Sequence, residues 1–261
     1  VTDGKLDLLI TSPVYKQEHP AFLQALDATF QALGQTFRFG PDPANPSAHI
    51  VRGDADIVRA RAVCLAKFLE MERPWDFWLM VDSDLSWHPS VLERMLSRDL
   101  PFLTAAYAFK ARAGFKKGLP VCRAHPGTEP DAAGLVRVNY CGGGFNLMRR
   151  DFVLDLCRCY PELAFTTNPD GDEDPGRPTF DLWLNLIAQQ EPWEGGRREH
   201  LSEDYAFCHR AAALGYEMLI DHYAVLVHWD EDGVAYRTGE EPVYPEEDKP
   251  KRSQPASKRR K

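Results

Sequence analysis

Apolar positions along the 261-residue chain fall into short continuous runs that alternate with stretches of helical spacing. Leu6–Thr11 (LDLLIT) and Phe77–Val81 (FWLMV) read as strands buried on both faces, the pattern of a parallel sheet covered by helices. Ser12-Pro13-Val14-Tyr15 is expected to end the first strand, since proline cannot donate to a ladder. Between them, Pro20 to Leu33 places Phe22, Leu23, Leu26, Phe30 and Leu33 at helical spacing behind an opening proline. Ala55 to Met71 does the same with Ile57, Val58, Ala62, Leu65, Phe68 and Leu69. Thr36–Phe39 reads as a short strand, and the proline-rich Pro41–Pro46 as a link. Further on, the pattern predicts a helix at Pro89–Leu96, a strand at Pro101–Phe109, two strand-like runs within Leu135–Arg150, and a helix at Asp151–Cys159. An irregular stretch from Pro161 to Arg198 follows, in which Asn168–Pro178 reads as a surface loop. The chain then shows a helix at Leu201–Gly215 with Ser202 as N-cap, and strands at Tyr216–Asp221 and Tyr223–Trp229. Strands alternating with helices predict an α/β domain with a mostly parallel central sheet flanked by helices.

The stretch Trp75–Trp87 (WDFWLMVDSDLSW) carries the sharpest chemistry. Its strand runs into Asp82 and Asp84, and ligands of open α/β sheets bind beyond the carboxyl ends of the strands. Two hard oxygen donors one residue apart suit a divalent cation held against a diphosphate. Asp-Ser-Asp equally suits a turn before a Pro-started helix, so the pair takes its meaning from the rest of the chain.

Composition narrows the class. A 44% hydrophobic content supports a real core. No apolar run approaches the roughly 18 residues that span a bilayer, and the N-terminus shows no secretory pattern, so a cytoplasmic protein without membrane insertion is expected. Six cysteines without a C-x-x-C pair point to reduced, buried thiols. The net charge is −8, yet Lys249–Lys261 holds seven basic residues and no acid, which leaves the body near −15. Residues 236–261 therefore read as an acidic-then-basic tail, disordered, outside a domain spanning 1–235. The basic run is an electrostatic hook for nucleic acid, or a solvated arm.

Four other places carry candidate chemistry. Arg59 and Arg61 lie early on their helix, against the helix dipole, and so call for a surface carboxylate or an anionic ligand. Lys110–Arg123 holds five basic residues, Lys110, Arg112, Lys116, Lys117 and Arg123, in a loop that could close over phosphates or remain merely solvated. Gly142–Gly144 interrupt a strand pattern and suggest close approach of backbone to ligand, without the spacing of a dinucleotide fingerprint. Glu203 and Asp204 suit the positive end of their helix, and His228 sits among apolar neighbours, where a satisfied core histidine is common.

In order, these features are a Pro-x-Tyr loop after the first strand, a helix with paired arginines, Asp-x-Asp after a hydrophobic strand, Gly-Gly-Gly-Phe, Ser-Glu-Asp-Tyr and a late Val-His. Together they resemble the GT-A (Rossmann-like) glycosyltransferases, nearest to small cytosolic bacterial and phage-type members, over about residues 5 to 230. The resemblance implies a metal-dependent hexosyltransferase that moves a sugar from a nucleotide-sugar, a UDP-sugar by preference, with Mn²⁺ or Mg²⁺. Asp84 would ligate the metal, Asp82 would share it or bind ribose, and His228 would be the further ligand. Pro13 and Tyr15 would contact the base, Arg59 or Arg61 the base or diphosphate, and Ser83 the cofactor between the two aspartates. Gly143 and Gly144 would lie beside the donor sugar and acceptor. Asp204, or Glu203 in second place, would take the proton from the acceptor hydroxyl, which favours inversion over retention.

The acceptor stays open between hydroxymethylated bases of phage DNA, reached through Lys249–Lys261 and the basic loop 110–123, and a protein, glycan or small molecule. The acidic body opposes the DNA alternative. A haloacid-dehalogenase-type phosphohydrolase also places Asp-x-Asp after a hydrophobic strand, but normally the first strand of the fold. A non-catalytic nucleotide-binding GT-A domain is the third alternative.

Overall fold

The computed structural model describes residues 5–40, 46–70, 74–114, 116–167, 176–190 and 195–243. The basic run Lys249–Lys261 and most of Asn168–Pro178 therefore lie outside the described residues.

In chain order the first half comprises β1 (Leu6–Val14), α1 (Pro20–Leu33), β2 (Phe37–Phe39), β3 (His49–Arg52), α2 (Ile57–Phe68), β4 (Phe77–Val81), β5 (Leu85–Ser86), α3 (Pro89–Leu96), β6 (Phe102–Ala106) and β7 (Cys122–Arg123). The second half adds β8 (Leu135–Val138), β9 (Tyr140–Cys141), β10 (Phe145–Arg149), α4 (Arg150–Cys159), β11 (Ala164–Thr167), β12 (Arg177–Phe180), β13 (Leu186–Gln189), β14 (Arg198–Leu201), α5 (Glu203–Ala213), β15 (Met218–Val225), β16 (Val227–Trp229) and β17 (Ala235–Tyr236).

The central sheet has eight strands in the order β2-β1-β4-β10-β6-β15-β8, with β3 pairing β1 beyond β2. β1 is parallel to β2, β3 and β4, and β15 is parallel to β6. β10 runs antiparallel between β4 and β6, and β8 is antiparallel to β15. The sheet is thus mixed but mostly parallel. Because β10 is reversed, its N-terminal end meets the carboxyl ends of β1, β4, β6 and β15 at one edge.

Alternation along each strand separates two apolar layers. Leu8, Ile10, Leu79 and Val81 pack with Phe22 and Leu26 of α1 and Leu92 and Met95 of α3. Leu9, Trp78 and Met80 face the other way, onto Leu65 and Phe68 of α2, Phe152 and Leu156 of α4 and Phe207 of α5. Burial on both faces is why β4 reads as a continuous apolar run. The buried indole of Trp78 donates to Thr11 Oγ1 (2.8 Å), and that of Trp87 to Thr29 Oγ1 (2.9 Å), which satisfies those two ring nitrogens.

Several expectations are corrected. β1 does not end before Pro13 but runs through it to Val14. The Val14 carbonyl accepts from Gly53 N–H (2.9 Å), so the alternating Pro13 turns its nitrogen to the other side, past the last β1–β4 pair, Thr11 with Met80, where no ladder bond is lost. Residues 161–201 are not wholly irregular: β11 pairs β12 and β13 pairs β14 as antiparallel ribbons. The two late strands are drawn differently, with β15 continuing to Val225 across a register shift and β16 a separate short strand. α5 begins at Glu203, but Ser202 makes no side-chain cap bond.

Candidate functional site

The convergent edge gathers most of the singled-out residues. Asp82 follows β4 directly, and its N–H donates to Gly144 O (2.8 Å), fixing the aspartate turn to the glycine run that opens β10. A second, three-stranded sheet, β17-β16-β5, completes the edge. In it His228 lies opposite Leu85, the residue after Asp84, and Trp229 N–H donates to Asp84 O (2.9 Å). That small ladder brings a histidine from late in the chain to the aspartate pair.

The two carboxylates have different company. Asp82 faces Arg61, with Nη2 3.7 Å from its Oδ1. Asp84 Oδ2 pairs with the Lys110 ammonium and lies 3.5 Å from His228 Nε2. His228 Nδ1 is 2.8 Å from Ala108 O, an acceptor only, so Nδ1 carries a proton and Nε2 is the atom turned toward Asp84. Burial raises Asp82, against the pull of Arg61. Burial also acts to raise Asp84, but His228 and Lys110 more than offset it and hold that carboxyl at about 2.

Arg61 is 2% exposed and serves three acids. Its Nη1 ion-pairs with Asp204 Oδ1 and lies 3.5 Å from Glu203 Oε1, both in the first turn of α5. Burial raises both acids, against the pull of Arg61. Gly143 N–H also serves Asp204. A Cβ at Gly143 would collide with Asp204 Oδ1 and lie 2.7 Å from Arg61 Nη2, so a side chain there would force that ion pair to shift.

The other expected residues spread more widely. Arg59 is exposed and forms a bidentate pair with Asp54 (both 2.7 Å), so it does not join the cluster, and its place early on α2 is explained by that surface carboxylate. Pro13 is buried within β1, whereas Tyr15 is 61% exposed. Tyr15, Ser83 and Asp84 line an open cleft of about 580 Å³ with Lys16, His19, Lys110 and Trp229. His19 and Trp229 stack in its wall, centroids 4.8 Å apart and planes within 15°. The basic loop is spoken for internally: Lys110 by Asp84, Arg112 by Asp230 and Asp232, Lys117 by Glu241, Arg123 by Glu199, with Lys116 over the Phe109 ring.

Tyr107 was not singled out from the sequence. Its hydroxyl accepts from Gly144 N–H (2.9 Å), and its ring meets the His228 imidazole edge-on at 5.3 Å. It therefore braces the glycine run against the histidine. The sequence pattern places Tyr107 inside a strand, whereas β6 ends at Ala106 and leaves Tyr107 at the same sheet edge as the glycine run.

The edge carries oxygen donors of the kind a divalent cation takes. Asp82 Oδ1 and Asp84 Oδ1 are buried without a hydrogen-bond partner, an arrangement that is costly unless something else satisfies them. Carboxylate oxygens and one imidazole nitrogen suit Mn²⁺ or Mg²⁺. Among the described residues no three His, Cys, Asp or Glu side chains are grouped so as to hold a metal ion by themselves, so ligands from a bound substrate would have to complete the shell.

No protein-family model and no curated protein matches the chain. Among solved structures it is similar to A197 from STIV, at 13% identity and a TM-score of 0.50, over 92% of this chain and 93% of that one. A likeness of that order shows a shared fold. Also similar are a nucleoside-diphosphate-sugar pyrophosphorylase from Vibrio cholerae RC9 (11% identity, TM-score 0.40, 81% of this chain and 91% of that one) and a 4-diphosphocytidyl-2C-methyl-D-erythritol synthase from Anaerococcus prevotii DSM 20548 (10%, 0.36, 64% and 81%). No helix of the described residues is long and apolar enough to cross a membrane.

Proposed function

We propose that the chain is a metal-dependent glycosyltransferase that moves a sugar from a nucleotide-sugar, a UDP-sugar by preference, to an acceptor hydroxyl. The observation that carries this is the pair of buried carboxylate oxygens without a hydrogen-bond partner, Asp82 Oδ1 and Asp84 Oδ1, at a strand end faced by His228 Nε2. Asp84, His228 and Asp82 would hold Mn²⁺ or Mg²⁺, which supplies positive charge to a departing diphosphate.

The remaining work falls to this chain's own side chains. Asp204 takes the acceptor proton. Burial makes it a stronger base than a free carboxylate, and Arg61 with Gly143 N–H fixes its direction. One positioned base opposite the leaving group favours inversion. Gly143 and Gly144 let the backbone pack directly against Asp204 and Tyr107, where side chains would collide. Tyr15, with Ser83, borders the nucleotide in the 580 Å³ cleft. Duplex DNA is the less supported acceptor, because every basic residue of loop 110–123 is already engaged within the fold. A small hydroxyl compound or glycan entering the cleft is favoured.

The test is a screen of sugar-nucleotides with Mn²⁺ or Mg²⁺, read by thermal shift and nucleotide release. Metal-dependent stabilisation by UDP or a UDP-sugar is expected, lost in Asp84→Ala with the fold intact. Normal metal and nucleotide binding by Asp84→Ala would refute the site assignment, and covalent phosphate on Asp82 would favour a phosphohydrolase instead.

A further inference from the structure

The place where a cation is expected already has a positive charge in it. Lys110 Nζ pairs with Asp84 Oδ2, the same oxygen that His228 Nε2 faces at 3.5 Å. An ammonium is a compact point charge on a flexible stem. Here it satisfies only one oxygen of the group, leaving Asp84 Oδ1 and Asp82 Oδ1 without a hydrogen bond. A divalent cation has the charge and coordination number to take all of them.

The lysine is also free to leave. Its loop is held by other contacts: Arg112 donates to Asp230 (2.7 Å) and to Tyr236 Oη (3.2 Å), and Gly239 N–H donates to Gly118 O (2.8 Å). The Lys110 side chain is 32% exposed, so Nζ has solvent to move into without the backbone shifting.

We propose that Lys110 is a built-in counterion for Asp84 that a divalent cation displaces, so that lysine and metal compete for one carboxylate. This rests on the metal reading of Asp84 given above. The lysine neutralises the acid cluster while the site waits, and it holds down metal affinity until the cation arrives with a diphosphate.

Two measurements on the full chain test this. Mn²⁺ binding is followed by the electron paramagnetic resonance signal of free Mn²⁺, with and without UDP, in the wild type, Lys110→Met and Asp84→Asn. Acetylation of Lys110 by an N-hydroxysuccinimide ester is followed by peptide mass spectrometry with and without Mn²⁺, with Lys117 as internal reference. The expected results are that Lys110→Met binds Mn²⁺ alone about fivefold more tightly, the worth of one part-exposed ion pair, and that Mn²⁺ speeds acetylation of Lys110 but not of Lys117. Equal affinities together with Mn²⁺-independent acetylation overturn the counterion alone. Absence of Mn²⁺ binding in wild type and Lys110→Met, with or without UDP, overturns the metal reading and the counterion with it.

Discussion

Arg61 and Asp204 are 143 residues apart in sequence, yet they form an ion pair across the interface of α2 and α5. The guanidinium is nearly sealed from solvent; Glu203 stands 3.5 Å from the Nη1 that pairs with Asp204, and Asp82 3.7 Å from Nη2. One cation thus balances three acids at the sheet edge. It ties the strand that ends in the aspartates to the helix that supplies the proposed base.

Removing that cation should cost stability as well as function. In Arg61→Met three carboxylates lose the guanidinium they share, and breaking a buried pair from one side typically costs about 3–5 kcal/mol. Denaturant unfolding at neutral pH should show a loss of that order. The acids left behind gain protons more readily in the fold than in the unfolded chain, so the deficit should shrink as pH falls. An undiminished deficit at acid pH would mean that Arg61 acts by packing alone.

Asp204→Asn should abolish sugar transfer, by about 10²–10⁴-fold for loss of a general base, while leaving thermal stabilisation by UDP and Mn²⁺ in place. Glu203→Gln should do less. The folded-state pKa of Asp204 is raised above 3.8 by burial, and a base works only when deprotonated, so the rate should climb with pH through that raised value. A pH–rate profile without such an acid limb, or near-normal turnover in Asp204→Asn, would assign the proton to another group.

What could be read from the sequence follows from how local each cause is. β4 and the aspartates after it were legible because burial on both faces produces an unbroken apolar run that stops where the ligand edge begins. α1 and α2 were legible from their apolar stripes. β3 escaped because none of its four residues is fully buried, and β11–β14 because only three of their sixteen residues are buried. Arg59 and Arg61 looked alike in sequence, yet two residues along a helix turn about 200°. One therefore meets Asp54 at the surface and the other reaches the buried acids. The contacts of Lys110 and Tyr107 depend on strands pairing across the whole sheet, which no local pattern encodes.

Glu199 offers a separate check on how the β13–β14 ribbon is tied to the β7–β9 ribbon. The Arg123 guanidinium forms two bonds to it (2.7 and 2.8 Å) and lies over the stacked rings of Tyr140 and Tyr205. Its hydrogen bond holds the Glu199 carboxyl at about 2, below an ordinary 4.5. A depressed acid stabilises the fold above its unfolded-state pKa, and that contribution disappears as pH falls from about 4.5 toward 2. Glu199→Gln should therefore lower unfolding free energy by about 1 kcal/mol at pH 7, as befits a part-exposed bidentate pair. The gap to wild type should close near pH 2, as measured by urea titrations at both pH values.

Gly143→Ala isolates the role of the glycine run. The backbone there has no positive φ, so a side chain is refused only for want of space. Its Cβ would press on Asp204 Oδ1 and on Arg61, which must separate to admit it. Overpacking of this kind costs about 1–3 kcal/mol, and transfer should fall with it because the base is pushed out of line. Shortening the crowded partner should relieve the strain. In a double-mutant cycle, the stability penalty of Gly143→Ala should be smaller in an Asp204→Ala background than in wild type, since removing the carboxylate opens the space the new methyl needs. Additive penalties would show that the two positions do not meet, and the glycine would then have to be explained by the substrate alone.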